Sequence, residues 1–152
     1  LTGGAGTYVF RWTISNPPCT ASSDDVSITV SGGITTSNAG PDQTVCAASA
    51  TLAGNTPSLG TGAWSVISGT ATVTTPSSPT SGVTGLVAGA SATLRWTISN
   101  GGCTPSIDDV IITRSATPTI SNAGSDQSVC GSTAILGGNS ATVGAGAWSV
   151  VA

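Results

Sequence analysis

Apolar and polar residues alternate along much of this chain with a period of two, the spacing of a strand with one buried face. From Tyr8 to Ser15, Phe10, Trp12 and Ile14 fall on one side and Arg11 and Thr13 on the other. Val26, Ile28 and Val30 then alternate with Ser27 and Thr29, and a loop carrying Pro17 and Pro18 separates the two runs. Residues 1–31 therefore predict the last two strands of a domain, a hairpin with one buried face. Residues 32–41, Gly-Gly-Ile-Thr-Thr-Ser-Asn-Ala-Gly-Pro, form a turn-rich linker. Beyond it the pattern predicts strands near 42–46, 50–54, 62–68, 70–75, 81–86, 92–99 and 107–114, separated by clusters of Gly, Pro, Asn and Ser. Parity points Leu52, Trp64, Val66, Leu94, Trp96, Ile98, Val110 and Ile112 inward, and no stretch has helical spacing. Seven short strands with turn signals at this spacing predict an all-β sandwich over residues 38–115.

The pattern repeats. Arg11-Trp12-Thr13-Ile14-Ser15-Asn16 returns as Arg95-Trp96-Thr97-Ile98-Ser99-Asn100, and Asn38, Cys46 and Trp64 return as Asn122, Cys130 and Trp148. The offset is 84 residues throughout, and 33 of the 57 positions from 12 to 68 match their counterparts without a gap. Such a period marks a tandem array. It divides the chain into the C-terminal strands of a first module (1–31), a complete module (38–115), a second linker (116–124) and the first three strands of a third module (125–152).

Composition sharpens the picture. Charged residues make up only 6% of the chain, against about 25% in a typical soluble domain. Disordered coil can share that polar, Gly-rich character, but it lacks β-branched and aromatic residues at strand spacing. With a net charge of -3 and only three cations, Arg11, Arg95 and Arg114, the chain has no basic surface for nucleic acid. No apolar run reaches the ~20 residues that span a bilayer, and no signal-peptide pattern stands at Leu1.

Asn38-Ala39-Gly40-Pro41-Asp42-Gln43-Thr44-Val45 with Thr51-Leu52-Ala53-Gly54 resembles the opening of PKD-like, immunoglobulin-like domains. Joined to Val45-Cys46, Gly62-Ala63-Trp64-Ser65-Val66, Val83-Thr84-Gly85-Leu86 and Arg95-Trp96-Thr97-Ile98-Ser99-Asn100, it is similar to the tandem repeats of very large surface proteins of Bacteroidota. The resemblance covers the whole chain. It implies immunoglobulin-like modules of a secreted, cell-surface, often adhesive protein, exported by the type IX route with a sorting domain outside this stretch. The chain departs from calcium-binding and enzyme-linked relatives in its scarcity of carboxylates, so their ligand chemistry does not carry over.

Candidate chemistry is sparse. There is no His, Glu or Lys, so acid-base work would fall on six Asp residues, one Tyr and four Cys, and no Ser has a base to activate it. The expectation is a protein that is not an enzyme and takes no cofactor. Cys19, Cys46, Cys103 and Cys130 lie at spacings that do not suit zinc and are disulfide candidates. In an immunoglobulin-like module the loops holding Cys46 and Cys103 lie at opposite poles, roughly 20 Å apart, beyond the ~7 Å reach of a bridge. Two outcomes stay open: a Cys46–Cys103 bond with an irregular first strand, or bonds across module boundaries.

Asp108 and Asp109, repeated as Asp24 and Asp25, form a weak calcium candidate with Asp42. The plainer reading sets Asp109 against Arg95 across a hairpin, on a solvated face. Trp64 and Trp96 would suit a sugar-stacking platform, although their parity favours the core. Tyr8 stands where a tyrosine corner would tie down its strand, a position held by Ala92 in the complete module. No Asn-x-Ser/Thr sequon occurs, nor an Asp followed by Ser or Thr. The reading is a structural repeat of an extracellular stalk, fibre or adhesin, partnered by neighbouring repeats and by laterally associated copies. The competing reading is a carbohydrate- or ligand-binding module of an adhesin or polysaccharide-degrading enzyme, partnered by surface glycans.

Overall fold

The computed structural model describes residues 4–151. Strands β1 (Gly6–Ile14) and β2 (Ser22–Val30) form an antiparallel hairpin in which Trp12 faces Asp24 and Arg11 faces Asp25. The Tyr8 hydroxyl donates to the Gly4 carbonyl at 2.7 Å, closing the corner that its position predicts. After the linker come β3 (Gln43–Val45), β4 (Ala50–Thr51), β5 (Thr61–Ser68), β6 (Thr72–Val73), β7 (Gly82–Thr84), β8 (Ala90–Ser99) and β9 (Ser106–Arg114). These seven strands make a four-stranded sheet, β3-β9-β8-β5, and a three-stranded sheet, β4-β7-β6. All neighbours are antiparallel except β3, which runs parallel to β9. The described residues are all-β, with no helix.

The core lies between the two sheets because strand alternation sends one set of side chains there. Ala92, Leu94, Trp96 and Ile98 from β8, with Val110 and Ile112 from β9, are fully buried; Trp64 on β5 is nearly so. The smaller sheet answers with Val83, joined by Leu52 just past β4 and Leu86 just past β7. Trp64 and Trp96 face each other across the β5–β8 ladder, with ring centroids 5.0 Å apart and planes tilted by 37°, a geometry that aromatic quadrupoles favour. The Trp96 indole fits because Gly62 has no side chain: a Cβ there would overlap Cζ2 and Cη2 of the ring. Gly54 plays the same part, since its Cβ would stand 2.9 Å from Trp64 Cζ2 and 3.3 Å from Trp96 Cδ2.

Three expectations are corrected. Val66 points inward by parity but is 38% exposed; β5 is an edge strand whose ladder with β8 shifts register between Val66 and Ser68, which re-aims its end. The apolar face of the β1–β2 hairpin is exposed rather than buried, with Trp12 at 73%. Its counterparts on β8 and β9 are covered by residues 39–86 of their own unit, and no described segment covers the hairpin in the same way. Residues 125–151 contain no strand. In the seven-strand unit the corresponding segments pair with β9, β7 and β8, and residues 125–151 have no such partners among the described residues.

Local geometry nevertheless recurs at the 84-residue offset. The Arg11–Asp25 pair matches Arg95–Asp109. The bond from Asn38 N to Asn55 Oδ1 matches that from Asn122 N to Asn139 Oδ1, and the Gln43–Thr51 bond matches Gln127–Ile135.

Candidate functional site

The residues of greatest interest gather where the chain enters and leaves the seven-strand unit. Segment 32–42 has no ladder of its own, so its backbone polar groups need other partners. Side chains of the unit supply them. Asn100, in the β8–β9 loop, donates through Nδ2 to the Gly33 carbonyl at 2.9 Å. Thr35 Oγ1 accepts from Ser58 N and Leu59 N at 3.0 and 2.9 Å, while Thr35 N donates to the Leu59 carbonyl. Ser106 Oγ accepts from Ser37 N at 2.9 Å. Asn55 accepts from Asn38 N through Oδ1 and donates through Nδ2 to the Thr36 carbonyl. The linker is thus sewn along the β8–β9 hairpin and the β4–β5 loop.

The carboxylates belong to the same seam. Asp108 Oδ2 accepts from Ala39 N at 2.7 Å, and Asp42 Oδ1 accepts from Ile111 N at 2.8 Å. Asp109, adjacent to Asp108 on a strand, points to the other face, where the Arg95 guanidinium grips it through Nε and Nη2 at 2.7 and 2.8 Å. That two-pronged bond holds the Asp109 carboxyl below its ordinary pKa, with partial desolvation opposing. Asp25 is lowered by Arg11 in the same manner. Each of the three calcium candidates therefore spends an oxygen on a backbone N–H or on arginine, and the described residues gather no group of three metal-ligating side chains.

At the exit end, Arg114 donates through Nη1 to the Leu86 carbonyl at 2.8 Å and through Nε to the Cys46 carbonyl at 3.2 Å. Ser115 N donates to the Val45 carbonyl. Cys46 thus lies where β9 runs out. Cys103 lies at the entrance, its thiol donating to the Gly32 carbonyl at 3.2 Å. All four cysteines are free thiols. A Cys46–Cys103 bond is absent because the two residues stand at opposite ends of the unit.

Trp64 and Trp96 offer no ring face to a sugar. The first is 4% exposed, with Nε1 donating to the Pro79 carbonyl; the second is wholly buried, with Nε1 directed at the Asn55 carbonyl and Oδ1 at 3.2 Å. No protein-family model matches the chain, and no curated protein is significantly similar to it. The residues that hold the linker, Thr35, Asn55 and Asn100, are not titratable and carry no catalytic signature in the sequence. Their signal was recurrence: Thr119, Asn139 and Asn16 stand 84 residues away.

Proposed function

We propose that the chain is a stretch of a tandem array of immunoglobulin-like, PKD-like modules, and that its task is mechanical: reach and continuity in an extracellular stalk, fibre or adhesin. The observation that carries the reading is the sewn linker. A flexible tether would leave its backbone to water, whereas segment 32–42 is bonded to both hairpin and loop by Asn100, Ser106, Asn55, Thr35 and Asp108. Such a joint transmits orientation from one module to the next, as arrays stabilised by nearest-neighbour contacts require. The strand order supports the immunoglobulin-like assignment. β4-β7-β6 and β5-β8-β9 match the B-E-D and C-F-G strands of that sandwich, with β3 as an added strand on the last. A non-catalytic role agrees with a chain that has no His, Glu or Lys.

Small-angle scattering on polypeptides of two, four and six repeats tests the reading. A stiff rod should lengthen by about 35–45 Å per repeat, the span of a ten-residue strand plus part of the linker. Growth as the square root of repeat number would mean flexible linkers and would defeat the proposal. Peptide mapping of an unreduced array should find no Cys46–Cys103 bridge. Bonds between Cys46 and the Cys103 equivalent of the next module would stiffen the rod further, because those loops face the junctions.

A further inference from the structure

One contact in the seam carries chemistry of its own. Asn100 Nδ2 donates to the Gly33 carbonyl at 2.9 Å and lies 3.4 Å from the Gly32 carbonyl. Gly101 follows it, and the backbone nitrogen after an Asn attacks the side-chain Cγ when nothing crowds it. Glycine crowds it least, having no Cβ. Gly101 N donates to no acceptor among the described residues, so no hydrogen bond holds its proton. Elsewhere Asn38, Asn55, Asn122 and Asn139 precede Ala, Thr, Ala and Ser, and Ala39 N is already bonded to Asp108. Asn16, the counterpart of Asn100 one repeat earlier, precedes Pro17, whose nitrogen has no proton to lose.

We propose that Asn100-Gly101 is a self-modifying site, at which Asn100 gives up its amide nitrogen and the linker is released from the β8–β9 loop. Hydroxide takes the Gly101 N proton, and that nitrogen attacks Asn100 Cγ. The new N–Cγ bond forms, the Cγ–Nδ2 bond breaks, and Nδ2 leaves as ammonia, closing a succinimide ring. Water then adds to either ring carbonyl and opens it, leaving an aspartyl or isoaspartyl residue at position 100 with a free carboxylate. The balance is amide plus water to carboxylate plus ammonium. A carboxylate only accepts hydrogen bonds, so it meets the Gly32 and Gly33 carbonyls with no proton to share. The isoaspartyl product also lengthens the main chain inside the turn that Cys103 N closes on the Asn100 carbonyl at 3.1 Å. While the seam is shut the reaction waits. The bond to Gly33 restrains the Asn100 amide, and a Cβ on Gly101 would stand 2.7 Å from Ser31 Oγ, so the linker covers the attacking residue. Attack therefore proceeds through local opening, and the product keeps the seam from closing again.

The chemistry needs only the seam, so it stands or falls separately from the rod. Tryptic mapping of the 152-residue protein is the test, because cleavage after Arg95 and Arg114 yields residues 96–114, in which Asn100 is the sole Asn. In mildly alkaline buffer the native protein should convert that peptide to its aspartyl and isoaspartyl forms ahead of the Asn residues in every other peptide. Conversion should run at least about tenfold faster in urea, where the seam is open. Ser106→Ala removes the acceptor for Ser37 N and should speed conversion in buffer, with near-ultraviolet circular dichroism of the Trp64–Trp96 pair checking that the variant is folded. Release of the linker is read by amide hydrogen exchange over residues 32–37. Exchange there should rise in the converted protein and in Asn100→Asp, while the protection of β8 and β9 is kept. A native 96–114 peptide that keeps its amide while the urea sample converts overturns the proposal. So do equal rates in buffer, in urea and in Ser106→Ala, or a converted protein whose linker exchanges as before.

Discussion

Trp96→Ala should cost the seven-strand unit about 4–5 kcal/mol. Replacing a buried Trp with Ala typically costs about 3–5 kcal/mol in lost transfer energy and cavity. Trp96 belongs at the upper end, because it is wholly buried and packed on Trp64 at 5.0 Å. An aromatic pair adds about 0.5–1.5 kcal/mol beyond area. The Asn55 carbonyl also loses the indole N–H, while Asn55 Oδ1 keeps its bond from Asn38 N. The site cannot collapse easily, since Gly62 is held in the β5–β8 ladder and Gly54 N is bonded to the Pro79 carbonyl. A unit of this size is worth about 4–12 kcal/mol in total, so the variant should be close to unfolding in water. Urea melts followed by far-ultraviolet circular dichroism give the number, with Trp96→Phe as a milder member of the series. Trp12→Ala is the internal control: the same residue at the same repeat position, 73% exposed, should leave the transition of the unit within about 0.5 kcal/mol. A loss below about 1 kcal/mol for Trp96→Ala, or equal losses for the two, would show that the repeat position rather than burial sets the energy, and the packing argument would be wrong.

Gly62→Ala should destabilise by about 1–3 kcal/mol or more in the same melts, because its Cβ overlaps the Trp96 ring, whereas Gly146→Ala should be neutral in the free chain. Asp109 has a folded pKa below its unfolded one, so its stabilisation is present above the unfolded value, near 3.9, and is lost as pH falls through the folded value. The melting temperature should therefore decline below about pH 4, and Asp109→Asn should flatten that limb of the profile while leaving the other Asp residues to titrate. Calcium or a chelator should move the melting temperature by less than about one degree, since only binding to the native state would raise it and Asp42, Asp108 and Asp109 are already engaged.

The strand pattern was legible because alternation over eight or more residues has one explanation when no helical spacing competes. Trp96, Leu94 and Ile98 could be placed inside from parity alone. Val66 could not, because a register shift near the end of an edge strand leaves no mark in the sequence. The β1–β2 hairpin is ambiguous for a related reason: Phe10, Trp12 and Ile14 have the pattern of a buried face, and pattern alone does not say what covers it. The seam was hidden in Asn, Ser and Thr, which a search for titratable groups passes over. Its bonds run over 17 to 69 residues of sequence, as from Asn38 to Asn55 and from Ala39 to Asp108, and only the fold reveals them.

The pairing of β3 with β9 and of β5 with β8 sets an order of events when the protein is made. A chain emerging from its N-terminus presents Gln43–Val45 and Thr61–Ser68 long before Ala90–Arg114 arrives to receive them. Until then Trp64 has no ladder to join. Folding that waits on such distant partners is slow, and the waiting strands carry almost no charge to hold them apart. The seven-strand unit is therefore most vulnerable to sticking to other chains during synthesis, and the arrival of the β8–β9 hairpin ends that exposure.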